Sequence, residues 1–517
     1  MPAWGIAYCL GTSWAKGAGI EKYHGIHARS ATALPGATQD DAESALADAV
    51  KKLLPNPGTM LEDDRDGRSR KEAFKEAIRT AYFKFSNDTD ILTIYVDAVL
   101  NLGSWDKWCV NEYDGATPGQ VMDMLHIMAN HIEEDKSCLR HPGFLCTLVN
   151  LAQTLSCPEM AERYAERLGE LAGDAGFLHH TISRLQMSCG QYGKALKTSE
   201  NSVTASFKYV IRAGLYDPYT VYLLHEYCNR IKIGIDQGEL KAAMDAVKDI
   251  EDLLKRNIPL TQLPPLGFHM ECLLSLRVQV LLRFGCWKRI LCLEIPTDED
   301  MYSMTTVITH FAKAIAYSAL NDQSNARKHQ GLLSEARDKV NSKSPMLNMS
   351  FKPFLDFVEK RLDGELLYRE AELEEAELVL REAMELEFSA EGWVLPTSLT
   401  LGALYLAQKN WTEAMMLFSA HVRLRHVAIE VFPIQHNEPA LCSQHLNDCW
   451  AYNGLWDALD GLLRGVNTPS KVYVKNIKKQ VEDAAKSKLR HVSKMTDSTF
   501  SPRNIEDWDG EPRIATF

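Results

Sequence analysis

"LTLGALYLAQKNWTEAMMLF", Leu399–Phe418, reads as two amphipathic helices and the turn that joins them. Leu401, Gly402 and Tyr405 fall on the first helix, and Ala414 and Phe418 on the second. Gly402 and Ala414 are twelve residues apart, and Phe418 follows Ala414 by four. Small residues at two such positions let a pair of helices cross closely.

The pattern recurs. "DGELLYREAELEEAELVLREA" supplies Gly364, Leu367, Ala376, Leu380 and Ala383, and "KAIAYSALNDQSNARKHQGLL" a weaker copy in Ala314, Tyr317, Ala326 and Leu333. Ala161 and Ala195, 34 residues apart, fit second-helix positions. This is the spacing and period of the tetratricopeptide (TPR) helix hairpin. Ala326 to Ala376 is 50 residues and Ala376 to Ala414 is 38, so the repeats are degenerate and carry insertions. The expectation is an all-α protein, a TPR-like right-handed superhelix of antiparallel helix pairs. Strand-like alternation is nearly absent. The small and aromatic repeat positions are read as packing.

Length and charge narrow the classes. The chain has 517 residues, too many for one ordinary core, so it is several domains or an extended array. A net charge of −12 argues against broad binding to nucleic acid or anionic lipid. No apolar run is long enough to span a bilayer. "MPAWGIAYCLGTSWAKGAG" at the start lacks a basic n-region, and Gly and Ser interrupt its apolar stretch. The 12 cysteines are scattered, with neither a CxxC pair nor zinc-site spacing. Reduced thiols in a cytoplasmic protein are expected.

Two breaks divide the chain. "LLPNPGTMLEDDRDGRSR", Leu53–Arg70, is polar and rich in Pro and Gly, and reads as a loop. Residues 1–52 are then N-terminal helices with an incomplete first repeat, and 71–467 the helical array. Residues 468–517 open with a basic helix, "SKVYVKNIKKQVEDAAKSKLRHVSK", read as a solvated terminal helix, and end in a poorly ordered tail.

Beyond the hairpin pattern, a set of words recurs in order. They are "WGIAY" (Trp4–Tyr8), "AVLNLGSWDKW" (Ala98–Trp108), "HPG" (His141–Gly143), "DAGFLHH" (Asp174–His180), "CGQY" (Cys189–Tyr192), "YTVYLLHEY" (Tyr219–Tyr227), "GELLYR" (Gly364–Arg369), "EGWVLPT" (Glu391–Thr397) and "SQHLNDCWAYNG" (Ser443–Gly454). Together they resemble a family of TPR-domain proteins of bacteria and filamentous fungi, from Trp4 to about Leu463. Four of the family's words are rich in histidine, which implies a transition metal. About half of those histidines are replaced here. His141 is kept, with Cys146 and Asn150 at the two following positions; His180 is kept between Phe177 and Arg184. His225 is kept, with Cys228 at the second place; His445, Asn447 and Trp450 are kept, with Asn453 at the last. The ligand set the resemblance implies is therefore His141, Cys146, His180, His225 and Cys228. Arg184 is no ligand and suits an anion instead.

Each residue has a plainer reading. His141 before Pro-Gly is a turn or cap residue. His180 and His225, near Tyr222 and Tyr227, are hydrogen-bonded core histidines. His179 is exposed. Arg184 with Glu226 is an ion pair between helices, and Asn447 with Trp450 a cap and its packing partner. Arg184, Tyr222, Tyr227 and His445 are also polar candidates for a groove, as is Arg230. No P-loop, GxGxxG, HExxH or Ser-His-Asp order occurs in a supporting context. Three functions follow: a scaffold binding a protein or peptide, or a small molecule, on its concave face; a metal-dependent or small-molecule-processing enzyme or auxiliary protein of fungal specialised metabolism, with Tyr222 or Tyr227 as acid or base; and a relative that keeps the fold and has lost the site. The expected mode is binding, with no nucleic acid and no membrane partner.

Overall fold

A computed structural model of the chain describes residues 41–53, 67–100, 118–154, 158–215, 219–257, 270–347, 352–387, 395–422, 449–464 and 471–488, with Gly5, Tyr8, Leu102 and Asp217. Among them there is no strand, and 20 α-helices are formed. The chain divides into two compact units, Met1–Glu226 and Tyr227–Phe517. The boundary between them falls inside α9 (Thr220–Gln237).

The first unit holds α1 (Asp41–Leu53), α2 (Gly67–Lys84), α3 (Thr89–Leu100), α4 (Pro118–Glu134), α5 (Pro142–Thr154), α6 (Glu162–Leu171), α7 (Gly176–Ser188), α8 (Tyr192–Ala213) and the start of α9. The helices pair in chain order, α1 with α2, α5 with α6 and α7 with α8, and the first helices α3, α5 and α7 also pack side by side. The expected loop over 53–70 ends earlier than its polarity suggested, since α2 begins at Gly67. Arg68, Arg70, Lys71 and Glu72 are good helix formers, and a charged first turn is no barrier to a helix whose core contacts, Phe74, Ile78 and Ala81, come later.

The second unit holds the rest of α9, α10 (Leu240–Asn257), α11 (Leu276–Arg283), α12 (Trp287–Leu291), α13 (Ser303–Ala319), α14 (Gln323–Leu347), α15 (Lys352–Arg369), α16 (Leu373–Leu386), α17 (Thr397–Ala407), α18 (Trp411–Ser419), α19 (Cys449–Arg464) and α20 (Lys471–Lys488). Here α11, α13, α15, α17 and α19 pack in a row, and α12, α14, α16 and α18 each lie against their own partner and the next first helix. The basic α20 buries Val474, Ile477 and Val481, and Lys478 pairs with Asp460 at 2.5 Å over the ring of Trp456.

Among the described residues, one turn joins the two helices of a pair at six places. A residue with positive φ ends the first helix: Gly190, Gly238, Gly285, Asn321, Ala371 or Lys409. The next N–H then reaches the carbonyl five residues back, as Gln191 to Gln186 (2.8 Å), Glu239 to Gly234 (2.9 Å), Asp322 to Tyr317 (2.9 Å) and Asn410 to Tyr405 (2.8 Å). The same bond joins Cys286 to Leu281 and Glu372 to Leu367. This is a Schellman closure, which satisfies carbonyls that the helix end leaves orphaned. The second helix starts two residues after the positive-φ residue each time.

The small residues sit where helices cross. A Cβ on Gly402 would meet Phe418 at 2.7 Å, and one on Gly364 would meet Leu380 at 2.7 Å. Gly234 is tighter in kind, because its Cβ would lie 2.7 Å from the backbone nitrogen of Ala243. No rotamer relieves a backbone contact. Gly234→Ala is therefore expected to destabilise the protein by about 1–3 kcal/mol, despite alanine's higher helix propensity. Urea unfolding of the full chain checks this, and a midpoint at or above the parent's would mean that α9 and α10 do not cross there.

Candidate functional site

His141 opens α5, and its ring explains the whole His-Pro-Gly word. Nδ1 lies 2.8 Å from the N–H of Phe144, the third residue of the helix, so the imidazole caps the N-terminus as a carboxylate or hydroxyl usually does. Pro142 is the first helical residue, where its missing N–H costs nothing. A Cβ on Gly143 would lie 3.1 Å from the folded-back ring. An amide only donates, so Nδ1 accepts, and Nε2 carries the proton toward Asp90, 2.8 Å away. That bond holds the Asp90 carboxyl below its ordinary range. Both ring nitrogens of His141 are thus committed to structure.

Cys146 and Asn150 lie one turn apart further along α5. Both are buried, and the Cys146 thiol faces Thr181 of α7 at 3.6 Å, with the Asn150 amide 3.9 Å from the sulfur. Burial pushes the Cys146 thiol up to about 12, which disfavours the thiolate a metal needs. Cys228 is pushed up to about 12 by burial as well, and it belongs to the second unit. Of the five implied ligands, only His180 and His225 come together, with ring centroids 4.8 Å apart. Among the described residues, no three His, Cys, Asp or Glu side chains are placed to hold a metal ion.

The other candidates are scattered. Tyr222 stacks near Tyr219, their centroids 5.2 Å apart, and Tyr227 is buried in the second unit. Arg230 pairs with Asp249 at 2.6 Å. His179 is half-buried and bonds the carbonyl of Gly173 at 2.9 Å. His445 and Asn447 lie outside the described residues, whereas Trp450 is buried with the Arg283 guanidinium 4.2 Å from its ring.

Where α7, α8 and the start of α9 meet, the interior is polar. Gly176, His180 and Arg184 follow one another at four-residue steps along α7, which puts them on one face. On α8, Ser199, Ser202 and Ser206 are all fully buried at positions where an apolar stripe would ordinarily run. α9 brings His225 and Glu226. The Ser202 hydroxyl donates to the Gly176 carbonyl at 2.8 Å, and the Ser206 hydroxyl to Glu226 Oε1 at 2.9 Å. Gly176 has to be glycine, because a Cβ there would lie 2.0 Å from the Ser206 oxygen.

This seam departs from the expected pairs. His180 is in the core at 3% exposure, yet neither ring nitrogen has a hydrogen-bond partner. His225 is exposed rather than buried. Glu226, also 3% exposed, bonds serine hydroxyls and forms no ion pair with Arg184, and its Oε2 has no partner. The Ser199 hydroxyl is likewise unmatched. Each unmatched buried group costs about 1–3 kcal/mol, so these three side chains call for an explanation.

Electrostatics follow from burial. Burial lifts the Glu226 carboxyl to about 8, against the pull of Ser206 and Ser202. At neutral pH it is mostly a neutral acid. Burial, then the neighbouring His225 and Arg184, hold the His180 imidazole well below its usual range, so it stays neutral. Arg184 is brought down to about 10 by burial and stays charged. The seam therefore offers one fixed cation beside neutral donors and acceptors. The serine stripe was the part sequence reading passed over. Its signal was present in "SENSVTAS", where small polar residues take core-facing helical positions. No family model matches the chain, and no curated protein matches it.

Proposed function

We propose that this protein is a TPR-like helical-repeat scaffold that acts in the cytoplasm by binding, taking a protein segment or a small ligand on the concave face formed by its first helices. The observation that carries this reading is the recurrence of one Schellman-closed turn at six places, with first helices packed in a row within each unit. Such hairpins bury a core only by stacking on neighbours, and stacking presents one continuous face of equivalent helices. Exposed segments that dock on such a face gain area without the scaffold changing shape. The metal-dependent alternative has two of its residues in contact, His180 and His225, and no observation that favours a third.

The test is hydrogen exchange of the full chain, with and without peptides drawn from a library of varied charge. Saturable binding in the micromolar range is expected, with added protection on α7, α13, α15 and α17. Protection confined to second helices, or no saturable binding by any peptide or small ligand, would overturn the reading.

A further inference from the structure

We infer that this protein associates with further copies of itself, the basic outer face of α8 in one copy seating the acidic outer face of α16 in the next. The inference goes beyond the concave-face reading and does not rest on it, because α8 and α16 are both second helices.

α8 carries four cations, Lys194, Lys197, Lys208 and Arg212, and one carboxylate, Glu200. All four cations are exposed, and helical spacing lines them along the side that faces away from buried Ala195, Ser199 and Ser206. Among the described residues only Lys208 of the four forms an ion pair, with Asp174, and both side chains of that pair are exposed. Gly176, the first residue of α7, lies against Ser202 and Ser206, so Phe207 to Ala213 run on past the start of the partner helix. There Phe207 and Ile211, one turn apart, reach 37% and 66% exposure beside Lys208 and Arg212.

α16 is the counterpart. It has five glutamates and one arginine, and it buries Ala376, Leu380 and Ala383. On the opposite side Leu378 stands 61% exposed among Glu374, Glu375, Glu382 and Glu385, which are all exposed. Among the described residues only Glu382 of these four forms an ion pair, with Lys360. The four acids span about 16 Å of helix, within the longer row of cations on α8. Laid together, the two faces bring carboxylates to ammonium and guanidinium groups and cover the exposed apolar side chains of both. A single exposed apolar side chain is ordinary; opposite charge around an apolar centre on two faces of one chain is a match. Two α8 faces set against each other would instead oppose Lys208 and Arg212 with like charges. An anionic membrane would repel a chain of net charge −12. A foreign acidic segment shares the chemistry, but α16 supplies it on every copy of the chain.

The experiment is analytical ultracentrifugation of the full chain over a concentration series. The average mass is expected to rise with concentration in about 0.1 M salt and to return toward the monomer in about 1 M salt, where the screening length drops from about 10 Å to about 3 Å. Two variants locate the contact: Ile211→Gln with Arg212→Gln on α8, and Leu378→Gln with Glu385→Gln on α16. All four residues are exposed, so both variants keep the fold, which circular dichroism checks. Each variant alone should associate at least about tenfold more weakly than the parent. Their equimolar mixture should give dimers and nothing larger, because one intact α8 still meets one intact α16. A parent that stays monomeric at every concentration, variants that associate as the parent does, or a mixture that stays monomeric would each overturn the inference. A monomeric parent whose α8 binds an added acidic, leucine-bearing peptide would overturn it in favour of a foreign partner. None of these results touches the concave-face reading, whose protection is sought on first helices.

Discussion

Arg361→Met is expected to destabilise the second unit by about 3–5 kcal/mol, the usual result of removing one partner from a buried charge pair. Arg361 lies on α15 at 1% exposure. It ties two helices together. Its Nη1 donates to the Leu395 carbonyl at 3.1 Å and the Thr397 hydroxyl at 2.8 Å, and its Nη2 to Glu365 at 3.1 Å and the Thr400 hydroxyl at 2.5 Å. Leu395 and Thr397 belong to the entry of α17, so the guanidinium pins α17 to α15. Without it, Glu365, wholly buried, keeps only the distant Arg369 as a counter-charge at 4.0 Å. The double variant Arg361→Met, Glu365→Leu removes both charges and should recover most of the loss, because well-packed apolar groups replace buried ion pairs at little cost. Urea unfolding followed by tryptophan fluorescence reads both. A single variant no weaker than the double would show that Glu365 needs no counter-charge.

The second large effect concerns pH. Glu226 titrates near 8 in the folded chain against an ordinary 4.5. Between those values the folded state holds a proton that the unfolded state has released, so stability falls as pH rises, by up to about 1.4 kcal/mol for each pH unit. His180 acts the other way. Its folded value is depressed, so its contribution is lost as pH falls below the unfolded value of 6.5. From pH 6.5 to 8 the His180 contribution is already complete, and Glu226 supplies a falling slope. Glu226→Gln keeps the shape and a neutral amide, and it should flatten that part of the profile and raise the melting temperature at pH 8. An unchanged slope in the variant would place the titrating group elsewhere.

These two sites were legible in the sequence to different degrees. The hairpins were readable, because Gly364, Gly402, Ala376 and Ala414 are small at fixed spacing, and a Cβ at either glycine would collide with the facing helix. The turn was less so. Gly190 and Gly238 announce positive φ, whereas Asn321, Ala371 and Lys409 adopt it because the Schellman bond and the following helix impose it. His141 read correctly as a cap, since capping is a local matter of three residues. The resemblance grouped His141, Cys146, His180, His225 and Cys228 by word order alone. In space, His141 turns to Asp90, Cys146 to Thr181, and only two imidazoles meet.

By itself the sequence determined the helices, their pairing and the small residues at the crossings, because periodicity and turn chemistry act over a few residues. Tertiary structure alone decided that Arg361 would be buried with Glu365, that the serines of α8 would face inward, and that Glu226 would lose its charge. Those outcomes depend on which helix faces meet across long stretches of chain, and on how much water their meeting removes. No local pattern carries either quantity.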